Sequence, residues 1–172
     1  MMADDVLIDR ATLADLDAIL AVERVCFPTP WTREAFAREL AREDDVALYV
    51  AARDGDEVVG YAGMWVLPVE AHLCTIAVAP MWQRRGLGTR ILLHMLQEAV
   101  WRGAGRLVLE YRVSNLAAHS MYVKYGFRLL GVRKNYYRDG LTREDAIVAS
   151  LDDIQAPGFA SQLDAWKQEI DT

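Results

Sequence analysis

The sequence is poor in residues that bind metal ions or form disulfides. Among its 172 residues there are only two cysteines, Cys26 and Cys74, which lie far apart and outside any metal-type spacing. The three histidines, His72, His94 and His119, show no ligand spacing either. Structural zinc sites need closely spaced pairs of such ligands. We therefore expect two free, buried thiols and no metal site.

Long apolar runs are also missing. No segment approaches the roughly 20 apolar residues of a membrane-spanning helix. The acidic start, MMADDVLIDR, lacks the basic and apolar regions of a secretory signal. A formal net charge of -6 argues against the basic surface that nucleic-acid binding usually requires. These absences predict a cytoplasmic protein that binds neither nucleic acid nor a membrane. Its oligomeric state stays open between monomer and homodimer.

The length and composition of the chain are those of one globular domain. The 53% hydrophobic and 26% charged residues are typical of a folded chain, and no repeat or linker divides it. Apolar residues recur with strand and helix periods that predict the order β-α-α-β-β-β-α-β-α-β-β-α. Hairpins mixed with helical crossovers indicate an α/β or α+β domain around a mixed sheet. We assign this domain to residues 1–151, and an extension with a short amphipathic helix to residues 152–172.

The segment TIAVAPMWQRRGLGTRILL carries the strongest functional signal. An apolar strand ends at Pro80, two arginines and two glycines follow, and a helix begins. Glycine lets the backbone approach a ligand closely, and the first N–H groups of a helix attract anions. An ordinary glycine turn with solvated arginines is the alternative. The whole pattern favours a site for a phosphate-bearing ligand.

The string QRRGLG resembles the Gln/Arg-x-x-Gly-x-Gly/Ala signature of the GCN5-related N-acetyltransferases, and the element order resembles that family's order. The resemblance extends to about Leu151 and implies a mostly antiparallel sheet of about seven strands. It also implies acetyl-coenzyme A as the acetyl donor, with its pyrophosphate on the turn and its arm and acetyl carbonyl on strand backbone groups. The residues so implied are Arg84, Arg85, Gly86, Leu87, Gly88 and Thr89 in the turn, and Ile76, Ala77 and Val78 in the strand.

Three further segments, CFPTPWT, LEYRVSNLAAHSMYVKYGF and RKNYYRDGLTREDAIV, are similar to the RimI-type N-terminal alanine acetyltransferases. Members of that group modify the N-terminal alanine of a small-subunit ribosomal protein. The similarity implies Glu110 as general base, Tyr122 as general acid and Asn115 as a cofactor contact. It also implies that two segments flank the peptide acceptor, through Phe27, Pro30, Trp31, Tyr136 and Tyr137.

Glu110 lies in the middle of the predicted strand RLVLEYRVSN, where a carboxylate is unusual. Acetyl transfer needs a neutral amine, a stabilised oxyanion and a proton for the departing thiolate. We expect desolvation to raise the pKa of Glu110, which suits it to take the amine's proton directly or through water. Strand alternation places Arg112 on the same face, so a simple ion pair between these two residues is the alternative.

The other site residues have structural alternatives as well. Tyr122 is otherwise a core aromatic, and Asn115 is otherwise a helix N-cap. Tyr136 and Tyr137 are neighbours on a predicted strand, so we expect one to face the core and the other to border the acceptor groove.

The extension after Leu151 carries an apolar stripe, formed by Phe159, Leu163, Trp166 and Ile170. Such a stripe could cover the sheet, mediate dimerisation or cap the acceptor groove, and packing on its own domain is the simplest choice. For the whole chain we expect acetylation of a protein N-terminal α-amine, most simply an alanine. A lysine side chain or a small amine is the alternative acceptor, and a coenzyme A-binding module without turnover is the alternative class.

Overall fold

The computed structural model describes residues 6–42 and 44–170 of the chain. Its elements follow the predicted order. The strands are β1 (Leu7–Arg10), β2 (Ala47–Asp54), β3 (Glu57–Val66), β4 (Glu70–Val78), β5 (Arg106–Arg112), β6 (Arg128–Asp139) and β7 (Thr142–Leu151). The helices are α1 (Leu16–Cys26), α2 (Arg33–Leu40), α3 (Leu87–Trp101), α4 (Leu116–Lys124) and α5 (Phe159–Ile170).

Within the described residues, seven strands form a single sheet in the order β1-β2-β3-β4-β5-β7-β6. Neighbouring strands are antiparallel, except that β4 and β5 are parallel and are connected through α3. A parallel pair needs such a crossover, because its two strands run in the same direction. The mixed α/β sheet confirms the predicted fold class.

Alternation along the central strands builds a core on each face of the sheet. On β2, Leu48 and Val50 contribute to the core beneath α3, α4 and α5, whereas Tyr49 and Ala51 contribute to the core beneath α1 and α2. Successive side chains of a strand point to opposite faces, so β2 is buried on both sides. The helices therefore form one layer on each face.

Local signals explain where the first helices begin. The backbone N–H of Thr12 donates to the Asp15 carboxylate at 2.8 Å, and the two residues form a capping box ahead of α1. The Thr32 hydroxyl accepts a hydrogen bond from the N–H of Ala35 at 3.2 Å and caps α2. Each cap satisfies N–H groups that a helix cannot satisfy internally.

A cleft opens where β4 and β5 stop pairing. Their ladder ends at Leu73 and Leu109, and from there β5 continues against β7 while β4 continues against β3. Consecutive residues of β3 pair with Leu73 and Thr75, which makes Cys74 the extra residue of a β-bulge. A bulge bends its strand, and this bend lies where the two strands diverge.

The C-terminal extension packs on its own domain. Leu163 is fully buried and Phe159 joins the same core, beneath α3 and α4. The ring of Trp166 contacts the ring of Tyr125, at the end of α4, with centroids 5.3 Å apart. The apolar stripe of α5 therefore follows the simplest of the expected options.

Both cysteines are free thiols, as expected. They are only half-buried, whereas we expected buried thiols. The Cys26 thiol donates to the carbonyl of Val78 at 3.3 Å, and burial raises the pKa of both thiols. Among residues 6–42 and 44–170, no helix combines the length and the apolar character that crossing a membrane requires.

Candidate active site

The cleft between β4 and β5 exposes backbone groups of β4. The N–H of Ala79 donates to the carbonyl of Val59 on β3 at 2.8 Å, so by alternation Ala77 also directs its backbone groups towards β3. The N–H and C=O groups of Ile76 and Val78 therefore point away from β3, on the side of the cleft. Two of the three residues expected to meet the coenzyme's arm are thus oriented for it, while the side chain of Ala77 packs in the core beneath α1.

The turn predicted to bind an anion leads from the end of β4 into α3. Arg84 and Gly86 have positive φ angles of 62° and 83°, and Gly86 is the N-cap of the helix that begins at Leu87. Gly88 and Thr89 lie in the first turn, which contains no acidic residue. Gly86 has no side chain to cap the helix, so the first N–H groups remain available to a negatively charged ligand.

Several contacts hold this turn against the end of the cleft. The side-chain amide of Gln83 donates to the carbonyl of Val78 at 2.9 Å. A Cβ atom at Gly88 would lie 3.8 Å from Val78, so the helix start is close to the strand. The guanidinium of Arg85 lies 5.6 Å from the centroid of the Trp82 ring. A pyrophosphate on the turn and an extended arm along β4 fit this arrangement.

Glu110 lies on β5 just beyond the segment that pairs with β4, and its side chain is 7% exposed. Its Oε2 atom lies 2.5 Å from Nε2 of His72, and its Oε1 atom lies 3.0 Å from the guanidinium of Arg133. The hydrogen bond from His72 is the main reason that the pKa of Glu110 is lowered, and the charge of Arg133 adds to it. The expected rise of this pKa is therefore wrong, because these partners outweigh desolvation.

Arg112 does not pair with Glu110. Its guanidinium donates to Asp139 at 2.8 Å and to Glu144 at 3.2 Å, and it lies 4.3 Å from the centroid of the Tyr137 ring. Residues two positions apart on a strand are further from each other than cross-strand neighbours, so β6 and β7 supply nearer carboxylates. The alternative of a simple Glu110–Arg112 ion pair is wrong.

Two contributors to the site, His72 and Arg133, were not predicted from the sequence. His72 pairs in register with Val108 on β5, so its side chain lies diagonally from that of Glu110. Arg133 comes from β6, which is separated from β5 by β7. Alternation with the apolar residues of β4 was the available signal for His72, whereas the sequence holds no signal for Arg133.

A wide bulge in β6 shapes the segment of Tyr136 and Tyr137. Pairing with β7 jumps from Arg133 to Tyr137, and Asn135 has a positive φ of 54°. The carboxylate of Asp145 accepts a hydrogen bond from the N–H of Asn135 at 2.8 Å. The two tyrosine rings contact each other, with centroids 5.2 Å apart, so the prediction that they face opposite sides is wrong for this irregular segment.

Tyr122 projects from α4 into the core on the other face of the sheet from Glu110. It is 3% exposed, and its ring contacts those of Tyr111 and Phe127 with centroids 5.2 and 5.5 Å away. Burial raises its pKa, so the phenol stays protonated at neutral pH and is able to donate a proton. Its position is that of a core aromatic, which is compatible with the predicted role as general acid.

Tyr137 interacts electrostatically with both candidate catalytic groups. Burial is the main reason that its pKa rises to about 12, and the charges of Tyr136 and Glu110 add to the rise. In turn, Tyr137 contributes to the raised pKa of Tyr122. Glu110 and Tyr122 lie on opposite faces of the sheet, and the pKa of Tyr137 depends on Glu110 while that of Tyr122 depends on Tyr137.

Asn115 is the N-cap of α4. Its side-chain oxygen accepts a hydrogen bond from the N–H of Ala118 at 3.1 Å. The predicted structural alternative is therefore present. A contact with the coenzyme stays a prediction, and the start of α4, beyond the end of β5, is compatible with it.

The loop of residues 27–31 and the end of the β6–β7 hairpin are joined directly. The Thr29 hydroxyl contacts the carbonyl of Arg138 at 3.0 Å and the carboxylate of Asp139 at 2.8 Å. On the loop, the ring of Trp31 packs on Phe36 with centroids 5.4 Å apart. The segments expected to flank an acceptor are thus brought together; they carry the residues Phe27, Pro30, Trp31, Tyr136 and Tyr137.

Comparison with known proteins identifies the family. Residues 16–127 match the acetyltransferase (GNAT) family. The chain is 36% identical over 137 residues to the [ribosomal protein bS18]-alanine N-acetyltransferase of Escherichia coli, covering 80% of this chain and 90% of the relative. It is 40% identical over 141 residues to the N-alpha-acetyltransferase RimI of Mycobacterium tuberculosis, covering 78% and 86%.

Solved structures agree. The crystal structure of the ribosomal-protein-S18-alanine N-acetyltransferase from Escherichia coli superposes with a TM-score of 0.79 at 34% identity, covering 86% of this chain and 94% of the other. The Naa50 protein of Arabidopsis thaliana, solved with a bisubstrate analogue, shares the fold with a TM-score of 0.74 at 22% identity, covering 86% and 99%. The chain belongs to the GNAT family and is an acetyl-coenzyme A-dependent N-acetyltransferase.

Proposed function

We propose that this acetyltransferase acts on the N-terminal α-amine of a protein, and that its acceptor is the N-terminal alanine of a small-subunit ribosomal protein in the cytoplasm. The observation that carries the proposal is the likeness to the Escherichia coli enzyme named for that reaction, which extends over 80% of this chain. The arrangement of the site supports it, since Thr29 joins the two segments expected to flank an acceptor.

In this proposal the acceptor lies against the 27–31 loop and the β6–β7 hairpin, which Thr29 links. A terminal amine bound beside them would approach the face of the sheet on which Glu110 and His72 lie. Tyr122 lies on the other face of the sheet, where its ring packs on Tyr111 of β5. We propose that base and acid act on the acceptor and the thioester from opposite faces of the sheet.

The chemistry of Glu110 favours an α-amine over a lysine. An α-amine with a pKa near 8 is about one-tenth neutral at pH 7, whereas a lysine side chain is neutral in fewer than about one molecule in a thousand. The lowered pKa of Glu110 keeps its carboxylate ionised but makes it a weak base. We propose that Glu110 supplies the basic group of the site, directly or through a neighbouring group, and a weak base suits the more acidic ammonium.

When bound, acetyl-coenzyme A supplies the acetyl group as a thioester, whose C–S bond breaks as the amide forms. Backbone N–H groups at Ile76 and Val78 are available to polarise a carbonyl in the cleft. Tyr122 is protonated at neutral pH and supplies the proton that a departing thiolate needs. Burial raises the pKa of Cys74 to about 12, so this thiol is a poor nucleophile and has no place in the proposal.

A peptide panel tests the proposal. Each peptide begins with alanine, and the panel compares free and chemically blocked N-termini, with and without an internal lysine. Mass spectrometry locates the added acetyl group. We expect acetylation of the free α-amine alone, with the internal lysine neither required nor modified. Strong acetylation of an N-blocked lysine peptide would contradict the proposal.

A further inference from the structure

Both carboxylate oxygens of Glu110 are engaged. His72 contacts Oε2 at 2.5 Å and Arg133 contacts Oε1 at 3.0 Å. The Glu110 side chain is 7% exposed, whereas the His72 side chain is 31% exposed. The imidazole is therefore the more accessible member of the pair at the base of the cleft.

The protonation pattern of this pair follows from the chemistry of its two groups. The pKa of Glu110 is lowered, so at neutral pH the carboxylate can only accept hydrogen bonds. Nε2 of His72 must then carry the proton that the bond uses. In a neutral imidazole the other ring nitrogen, Nδ1, holds the free lone pair. Within residues 6–42 and 44–170, this Nδ1 has no hydrogen-bond partner.

We infer that His72 is the proton acceptor of the site, and that Glu110 acts through it by orienting the ring and stabilising the imidazolium. The N–H bond of the acceptor's ammonium breaks, its electron pair stays on the amine nitrogen, and the proton binds to Nδ1 until it passes to solvent. The inference rests on the proposed function for the identity of the acceptor. It replaces direct transfer to Glu110 with transfer to its partner.

The charged and titratable groups around the pair come from three elements. Arg133 on β6 carries a constant positive charge. Tyr137 on β6 and Cys74 on β4 have pKa values raised to about 12, so both stay neutral through the physiological range. The negative charges of Glu39 on α2 and of Glu110 both help to raise the pKa of Cys74. Imidazole is the one side-chain type in this set that ordinarily changes its charge between about pH 5 and 8.

The first test separates a base from a positioning residue. His72→Gln keeps an N–H donor near Oε2 of Glu110 but has no nitrogen that accepts a proton. We expect this variant to lose at least about 100-fold in kcat, as His72→Ala does, because a general base contributes about 10²–10⁴. Arg133→Gln is the matched control, since it removes the other partner of Glu110 and no proton acceptor, and we expect a much smaller loss. Near wild-type turnover of His72→Gln would overturn the inference.

The second test is the pH dependence of kcat/KM with one peptide for all variants. A base that takes the proton of the substrate ammonium matters most where that amine is protonated. We therefore expect the loss of kcat/KM in His72→Gln, relative to wild type, to shrink as the pH rises through the pKa of the substrate amine. Glu110→Gln keeps the imidazole, so its loss should change little with pH. If Glu110 were itself the acceptor, the loss in Glu110→Gln would shrink with rising pH and that in His72→Gln would stay constant.

The third test needs neither a variant nor turnover. Nitrogen-15 NMR of the wild-type chain without coenzyme reports which ring nitrogen of His72 carries the proton. For the neutral imidazole we expect a protonated Nε2 and a bare Nδ1, and the opposite tautomer would overturn the inference. All kinetic tests use whichever amine the wild-type chain acetylates fastest. A failure on alanine peptides would therefore refute the proposed acceptor and leave the test of His72 intact.

Discussion

Nε2 of His72 lies 2.5 Å from Oε2 of Glu110, and this contact joins two residues 38 positions apart on the only parallel pair of neighbouring strands among the described residues. The parallel register places His72 opposite Val108 and so within diagonal reach of Glu110. The pairing of β4 and β5 ends at the next residue pair, which is where the cleft opens. The basic group of the site therefore lies at the base of the gap that a coenzyme arm would enter.

Replacing Glu110 should abolish most of the turnover without loosening the coenzyme. We expect Glu110→Gln to lower kcat by about 100-fold or more, because the basic side of the site loses its negative charge. The Kd for acetyl-coenzyme A, measured by calorimetry, should stay near the wild-type value. Glu57→Gln, on an exposed glutamate at the start of β3, is the matched control. Full activity of Glu110→Gln would show that this carboxylate takes no part in the reaction.

The hydroxyl of Tyr122 can be removed while its packing is kept. Tyr122→Phe retains the ring contacts with Tyr111 and Phe127, so we expect a small change in Tm. We expect kcat to fall by about 10- to 100-fold, because the departing sulfur loses its proton donor. Tyr125→Phe is the matched control, since this tyrosine is equally buried at the end of the same helix but packs on Trp166. Equal kcat values for the two variants would contradict the acid role.

Gly86 should matter for the coenzyme beyond its backbone conformation. Its φ is 83°, so Gly86→Ala should cost about 1 kcal/mol of stability. Gly103 has a φ of 81° at the opposite end of α3, and Gly103→Ala should therefore have a similar cost. Only Gly86→Ala should weaken acetyl-coenzyme A binding, and we expect a several-fold higher Kd by calorimetry. Equal binding by the two variants would place the pyrophosphate elsewhere.

Tyr49 carries a buried hydroxyl that, among the residues the structure describes, has no hydrogen-bond partner. We expect Tyr49→Phe to raise the free energy of unfolding by about 1 kcal/mol, because an unsatisfied buried polar group is costly. Burial also raises the pKa of Tyr49, so above about pH 10 the hydroxyl ionises in the unfolded chain before the folded one. Folded wild-type protein therefore loses stability there, and the advantage of the variant should grow. Denaturant unfolding at pH 7 and pH 10.5 measures both effects. A variant less stable than wild type would contradict the prediction, because it would mean that the Tyr49 hydroxyl makes a stabilising hydrogen bond.

The fold was predictable because its signals are local. Strand and helix periods gave the order of the elements, and the pairs Thr12–Asp15 and Thr32–Ala35 mark helix starts by bonds within a few residues. The anion turn was recognisable for the same reason, since it lies within seven consecutive residues.

The electrostatics of the site were not predictable, because they depend on partners that the sheet brings together. Whether the pKa of Glu110 rises or falls is decided by His72 and Arg133, which come from strands far away in sequence. The contact of Tyr136 with Tyr137 depends on the bulge in β6, where strand alternation fails. Long-range pairing and irregular register are the features that periodicity does not encode.

The most direct test of the central claim is mass spectrometry of protein N-termini from cells that lack this protein. We predict that the N-terminal alanine of a small-subunit ribosomal protein loses its acetyl group, that the wild-type chain restores it, and that Glu110→Gln does not. Unchanged acetylation of every alanine N-terminus in those cells, or full restoration by Glu110→Gln, would contradict the account.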